Sequence, residues 1–421
     1  MYEFKKVTPP KGDVIRQGPN GIESPEKPII PFIRGEGIGP EIWESTQAVA
    51  DETVHRVYNG KRSIVWFEIY AGESAAAIYG VNELLPADTL EAIRRYKIAI
   101  KGPLATPVGG GARSVNVALR RELDLYANVR PVRYFPGLPS PLKSPEKIDL
   151  VIFRENTEDV YMGFEWPAES AEAWQIIDLV NSRLLPQHVR LHKDAAIGLK
   201  PITRYACERL VRAAIEYAKR NGYPSVTLVH KGNIMKFTEG AFVQWGYELA
   251  RAEFNKQTLT EAEFKNQGGD NAPADKIIIK DRIADAMFQE LILRPDRYGV
   301  IAATNLNGDY LSDAAAALVG GLGFASSANI GDGLAVFEAV HGTAPDIAGK
   351  GMANPSSLIL SAIEMFRYLG WVEAAEFAFG ALKRVISRGC VTADVSYLLP
   401  NATSMSCREF TAAVVNEIRQ G

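Results

Sequence analysis

Asp309 and Asp313 stand four residues apart in NLNGDYLSD (305–313), so a helix there turns both carboxylates to one face. Hard divalent cations take oxygen ligands, and Mg²⁺ commonly uses one or two protein carboxylates beside substrate and water. Asp281 and Asp285 repeat that spacing on an expected helix over 280–291. Capping and solvated faces are the plain alternative for either pair. A second cluster suits an anion. In GGGARSVNVALR (109–120) three glycines permit a tight turn, and Ser114 is expected to cap the helix that follows, leaving free N–H groups for a negative ligand. Asn116 and Arg120 share a face of that helix. Arg130 and Arg133 lie on the next strand, and Arg154 on another, with Tyr161 just beyond. A planar guanidinium grips a carboxylate through two bonds at once. Surface ion pairing explains any one of these arginines, whereas several beside glycine turns point to a small anionic ligand.

These groups need a scaffold that alternates strand and helix. IIPFI (29–33) reads as a buried strand, followed by the loop GEGIG (35–39) and a helix from about Pro40. Asp88 and Glu91 form an expected capping box ahead of a strand over 97–101. From Thr203, apolar residues recur at helical spacing up to Gly222, and SVTLVHK (225–231) follows as a strand. Such alternation implies a mainly parallel sheet covered by helices, hence an α/β fold. Residues 159–200 break the rhythm and read as an arm or inserted subdomain, and 261–275 reads as a solvent loop. The GEGIG spacing is not that of a dinucleotide fingerprint, so this loop reads as a strand-to-helix turn rather than a Rossmann site.

The chain has 421 residues, with 47 Lys+Arg against 50 Asp+Glu, so its net charge is 47 − 50 = −3. That balance argues against a general nucleic-acid binder. No apolar run is long enough to span a membrane, and the first residues lack the apolar stretch of a secretory signal. Three widely spaced cysteines, Cys207, Cys390 and Cys407, suggest neither a disulfide framework nor a zinc site, and a reducing cytoplasm is the expected setting. His188 and His192 lack the neighbouring Glu of a zinc protease motif.

The blocks GPLATPVGGGARSVNVALRRELDLYANVRPVR, VIFRENTEDVY, VTLVHKGNIMKFTEG, NLNGDYLSD and FEAVHGTAPDIAGKGMANP resemble the isocitrate dehydrogenases of the decarboxylating β-hydroxyacid dehydrogenase family. The resemblance implies the isocitrate/isopropylmalate dehydrogenase fold, which is not Rossmann. It implies a large domain (1–125 and 320–421), a small dimerising domain (126–158 and 204–319) and a clasp (159–203). It further implies a homodimer whose active sites are shared between subunits. Ser114, Asn116, Arg120, Arg130 and Arg154 match the isocitrate-binding set. Tyr161 and Lys231 match the catalytic acid and base, with Lys231 reaching in from the other subunit. Asp309 and Asp313, joined by Asp285 of the second chain, match the ligands of Mg²⁺ or Mn²⁺, and Asp281 has no such role. Ser114 also matches a serine that a kinase phosphorylates in some bacterial members.

The implied reaction is the metal-dependent oxidative decarboxylation of isocitrate to 2-oxoglutarate and CO₂, a step of the tricarboxylic acid cycle. Isopropylmalate or homoisocitrate dehydrogenase is the alternative within the family, and LYANVR (125–130) is similar to the isopropylmalate enzymes. A non-catalytic metal- and anion-binding protein is the alternative outside it. His341, Gly342, Thr343, Ala344, Pro345, Asp346 and Ile347 match the family's cofactor loop, with Asn354 beyond it and Thr106 on the nicotinamide side. NADP-dependent bacterial members carry Lys-Tyr where this chain has Asp346 and Ile347, and Tyr and Arg where it has Ala393 and Tyr397. A carboxylate there accepts ribose hydroxyls and repels a 2′-phosphate, so the expected coenzyme is NAD⁺.

Overall fold

The computed structural model describes residues 2–18, 21–106, 114–186, 188–268, 273 and 275–421. Its centre is an 11-stranded sheet. In chain order the strands are β1 (Ile29–Ile33), β2 (Val65–Glu68), β3 (Ile98–Lys101), β4 (Ala127–Arg133), β5 (Asp149–Glu155) and β6 (Ser225–His230). They continue with β7 (Thr258–Thr260), β8 (Ile277–Ile283), β9 (Val300–Ala303), β10 (Ser326–Gly331) and β11 (Leu334–Ala339). Their spatial order is β7-β8-β6-β9-β5-β4-β10-β11-β3-β1-β2. Pairing is parallel except where β4 meets β5 and β10, and where β10 meets β11. β1, β3, β6 and β9 are buried at every position, as strands with helices on both faces must be. The α/β expectation holds, and no described helix is long and apolar enough to cross a membrane.

The sheet matters for the site because parallel strands align their carboxyl ends, where ligands of α/β sheets gather. β5, β9, β6 and β8 lie side by side and run the same way. At or just after their ends come Arg154, the helix Asn305–Ala317, Lys231 and the helix Ala284–Leu293. The helix Arg204–Asn221 runs up to Gly222 as the sequence indicates, is capped by Thr203, and packs behind β5 and β9.

GEGIG is a strand-to-helix turn between β1 and the helix Gly39–Tyr58, as its spacing indicates. Gly37 has φ +59°, and a Cβ on it would lie 2.0 Å from the Thr343 carbonyl oxygen. The Ile38 N–H donates to that same oxygen at 2.9 Å. The glycine therefore lets two backbone segments touch, not a pyrophosphate approach.

Four local expectations are corrected. Asp88 does not cap the helix Ala87–Tyr96; it is buried and accepts from Tyr2, Tyr79 and the N–H groups of Lys5 and Lys6. Ser114 precedes the helix Val115–Glu122 without capping it, because its hydroxyl is engaged with Thr106 Oγ1 at 2.9 Å. Asp281 lies on β8 rather than on a helix, held by His230 and Tyr247, so only Asp285 of that pair is helical. Within 261–275, Glu261–Asn266 is a helix started by a Thr260/Glu263 capping box that the sequence reading passed over. The glycines of 109–111 lie outside the described residues. The segment after Asp159 forms a short helical turn, the pair Glu165–Trp166 and Ile197–Gly198, and the helix Ala171–Leu179.

Candidate active site

Strand register builds the site first. Glu338 on β11 stands beside Lys101 on β3, and their side chains meet at 2.7 Å. Arg120, one helical turn past Asn116, reaches the other Glu338 oxygen at 2.7 Å. Burial alone raises the Glu338 carboxyl, but the Lys101 ammonium and Arg120 guanidinium hold it far below the usual carboxylate range. Sequence reasoning missed Lys101 and Glu338. Their signal was a lone charge inside an otherwise apolar strand, IAIK in one case and LAVFEA in the other, which is costly unless paired.

On the next strands the pattern repeats with the helix Asn305–Ala317. Arg130 donates to Asn128 Oδ1 at 2.8 Å, Ser312 Oγ at 2.6 Å and Asp313 Oδ1 at 2.7 Å. Arg154 donates to Asn305 Oδ1 at 2.9 Å and to Asp309 Oδ1. The helix packs this closely because Gly308 has no side chain; a Cβ there would lie 2.7 Å from the Arg154 Cβ. Tyr161 donates to Asp309 Oδ2 at 2.8 Å, and its ring centroid is 4.7 Å from the Arg154 guanidinium carbon. Burial, reinforced by Asp309 and opposed by Arg154, pushes the Tyr161 hydroxyl up to about 12, so it holds its proton at neutral pH. Burial, then the like charges of Arg120 and Arg130, push Arg154 down to about 10. Three guanidiniums that repel one another around one space are short of negative charge.

A cleft of about 380 Å³ opens between these groups and the 341–343 loop, lined by Lys101, Thr106, Asn116, Arg120, Arg130, Glu338, His341, Gly342 and Thr343 among others. Three buried polar atoms of these residues find no partner among the described residues: Asn116 Oδ1, Arg120 Nε and His341 Nε2. An unsatisfied buried group costs about 1–3 kcal/mol, so each favours a ligand that supplies the missing bond. Asn116 Nδ2 and Ser114 already have protein partners, Leu104 O at 3.3 Å and Thr106. Burial lowers the His341 imidazole from its ordinary value; Nδ1 donates to the Gly342 carbonyl at 3.0 Å, which leaves Nε2 of the neutral ring as an acceptor.

The cleft thus brings together Asn116, Arg120 and Arg130 with Thr106 and the start of the expected cofactor loop. Pro345–Ile347 form a short turn, Asp346 is exposed, and Asn354 hydrogen-bonds Asp394 at 3.0 Å. Asp309 and Asp313 share a helix face as their spacing required, with half the Asp313 side chain exposed. Their donor set fits a hard cation that keeps water or substrate on its remaining positions. Lys231 and Asp285 form no hydrogen bond or ion pair with Asp309 or Asp313 among the described residues. Lys231 Nζ donates to Asp285 Oδ1 of the same chain at 2.5 Å and to no other described residue. Accordingly, no three acidic, His or Cys side chains among the described residues gather closely enough to hold a metal. One chain supplies two carboxylates.

Comparison with known proteins gives the family. Residues 29–414 match the isocitrate/isopropylmalate dehydrogenase family model. An isocitrate dehydrogenase [NADP] of Archaeoglobus fulgidus is 51% identical over 418 residues, covering 99% of both chains. One of Pseudomonas aeruginosa is 50% identical, covering 98% of this chain and 99% of its own. A crystal structure of isocitrate dehydrogenase from Methylococcus capsulatus superposes with a TM-score of 0.75 at 38% identity, over 93% of this chain and all of that one.

These relatives correct the coenzyme expectation. NAD⁺ was inferred from Asp346, Ile347, Ala393 and Tyr397, yet the relatives at about half identity are named for NADP. The inference gave too much weight to one carboxylate. Two unit charges about 4 Å apart in water interact by only about 1 kcal/mol, a several-fold effect on affinity, and Asp346 is exposed to solvent with Lys350 on the same loop. The chain belongs to the isocitrate/isopropylmalate dehydrogenase family.

Proposed function

We propose that this protein is a metal-dependent isocitrate dehydrogenase that oxidises isocitrate to 2-oxoglutarate and CO₂, with NADP⁺ as the coenzyme its relatives support. The observation that carries the reading is the charge of the cluster. Lys101, Arg120, Arg130 and Arg154 against Glu338, Asp309 and Asp313 give 4 − 3 = +1. A divalent cation raises that to +3, the complement of a tricarboxylate. Isopropylmalate has one carboxylate fewer and brings an apolar group against Ser114 and Asn116, so the isocitrate reading is favoured within the family.

Asp309 and Asp313 would hold Mg²⁺ or Mn²⁺, with Asp285 of the partner subunit as a third carboxylate. The metal supplies Lewis-acid polarisation of the substrate hydroxyl and its neighbouring carboxylate. Arg120, Arg130 and Arg154, with Ser114 and Asn116, bind and orient the carboxylates. Lys231 of the partner subunit accepts the C2 hydroxyl proton while hydride leaves C2 for the nicotinamide held by Thr106, Asn354 and the 341–347 loop. Tyr161 keeps its proton at neutral pH and delivers it to C3 after CO₂ departs.

The shared site makes the protein a homodimer. Phe237 and Ile234, beside Lys231, are 94% and 70% exposed, a surface that a second copy would cover. Division into a large domain, a small domain and a clasp is part of this reading; the largest apolar cluster crosses the first two, joining Ile30 and Leu358 to Leu210 and Val300, and two smaller clusters are confined to one side each. One apolar cluster lies within 132–319, and another within residues 7–125 plus Val336. The three unpaired cysteines suit the cytoplasm. The test is a direct assay: purified protein with Mg²⁺, isocitrate and coenzyme must yield reduced nicotinamide and 2-oxoglutarate in equal amounts. Isopropylmalate and homoisocitrate serve as competitors.

A further inference from the structure

Three segments carry the proposed acid, base and metal carboxylate, and none of them contacts the others through those groups alone except at Tyr161 and Asp309. Tyr161 and Asp309 serve this chain's own site and Lys231 the partner's, yet one pair of buried carboxylates underlies all three segments. Asp159, two residues before Tyr161, and Glu239, eight after Lys231, both have fully buried side chains. Lys200 bridges them, with Nζ 2.5 Å from Asp159 Oδ1 and 3.0 Å from Glu239 Oε1.

Both carboxylates grip the first turn of the helix that bears Asp309, and each also holds a second segment. Asp159 accepts the Leu306 N–H at 3.1 Å through Oδ2, fixing the first turn of the helix that bears Asp309. Its Oδ1 also accepts the Val160 N–H at 2.7 Å, which holds Asp159 at φ +72° and turns the chain into Tyr161. Glu239 accepts the Lys231 backbone N–H at 3.0 Å through Oε2. It also accepts from Thr304 Oγ1 at 2.9 Å and Asn307 Nδ2 at 2.6 Å, again in that helix's first turn. Two buried carboxylates at one helix N-terminus are favoured by its free N–H groups, but they still repel one another and need the ammonium between them.

We infer that Lys200 is a positioning residue: by bridging Asp159 and Glu239 it holds in place Tyr161 and Asp309 of one site, and the Lys231 that the same chain lends to the partner's site, without touching substrate. This rests on the proposed function and adds a residue to it. The pairing of Glu165–Trp166 with Ile197–Gly198 is what returns the chain to deliver Lys200. The same bridge therefore locks the base of the 159–203 arm to the catalytic floor.

The experiment compares wild type, Lys200→Met, Lys200→Arg and Glu239→Gln in steady-state kinetics, with isocitrate binding measured by calorimetry and folding by circular dichroism. A misplacement of about 1 Å costs about 100-fold in rate, so Lys200→Met should lose about that much kcat while isocitrate Kd stays within about threefold. Lys200→Arg, which keeps a cation between the carboxylates, should recover most of the loss. A Lys200→Met kcat within about threefold of wild type overturns the proposal, as does a loss shared equally between kcat and binding. If Lys200→Met does not fold, Glu239→Gln decides. It keeps an acceptor for Lys231 and removes the charge, and a kcat reduced about tenfold at unchanged Kd supports the bridge, whereas an unchanged kcat overturns it. Wild type without isocitrate turnover overturns the functional reading itself; an active wild type with unaffected variants overturns only the role of Lys200.

Discussion

Tyr161 and Arg154 hold the two oxygens of one carboxylate: the hydroxyl donates to Asp309 Oδ2 at 2.8 Å and the guanidinium to Oδ1. The proposed proton donor is thus set against a proposed metal ligand by the same arginine proposed to bind substrate. Tyr161→Phe removes only the donor. It should lower kcat by about 10²–10⁴-fold, the usual contribution of a positioned acid, with little change in isocitrate KM. Rapid-quench analysis for accumulated 2-oxoglutarate precursor would locate the blocked step after hydride transfer.

Lys231 pairs with Asp285 and not with Asp309 or Asp313 of its own chain, and the proposed shared site predicts complementation between subunits. Tyr161→Phe and Lys231→Met homodimers should each retain at most about 1% of wild-type turnover. After mixing, denaturation and reassembly, about half the dimers are hybrids and each hybrid has one intact site of two, so activity should return to about a quarter of wild type. No recovery in confirmed hybrids would place both residues in a single-chain site.

Glu338 gives a pH dependence of stability with a definite sign. Its folded carboxyl lies far below the ordinary 4.5, so ionised Glu338 stabilises the fold above about pH 4.5 and that contribution disappears as the pH falls below it. Glu338→Gln strands Lys101 and Arg120 and should cost about 3–5 kcal/mol at neutral pH, as loss of one member of a buried ion pair does. Urea unfolding at several pH values checks both. The variant's stability should fall less steeply than that of wild type between pH 4.5 and the acid limit.

On the 341–347 loop, proposed to hold the coenzyme, Asp346→Asn removes one exposed charge that would face the 2′ position. Relief of about 1 kcal/mol should raise kcat/KM for NADP⁺ roughly fivefold and leave that for NAD⁺ little changed. An unaltered ratio of the two would show that this carboxylate does not face the coenzyme.

Asp309, Asp313, Arg120 and Asn116 were legible in the sequence because helical spacing alone fixes which face each side chain shares. Arg154 and Arg130 were legible as strand residues, but not as partners of Asp309 and Asp313, since that pairing depends on β4 and β5 being antiparallel neighbours. Lys200 and Asp159 are 41 residues apart and joined by an arm of irregular structure, so no local period announced them. Asp88 shows the converse failure: its spacing to Glu91 suited a cap, but a buried pocket offering two tyrosine hydroxyls claimed it. Coenzyme choice was the least legible of all, because each tenfold preference is only about 1.4 kcal/mol, set by exposed groups whose interactions water screens.

The most direct measurement follows nicotinamide reduction by the purified protein with isocitrate and Mg²⁺, with NADP⁺ and NAD⁺ supplied in parallel. The account predicts reduction that requires the metal, releases one CO₂ per reduced coenzyme, is fastest with NADP⁺, and is lost in Arg130→Met. Absence of reduction with either dinucleotide, or faster turnover of isopropylmalate than of isocitrate, would contradict it.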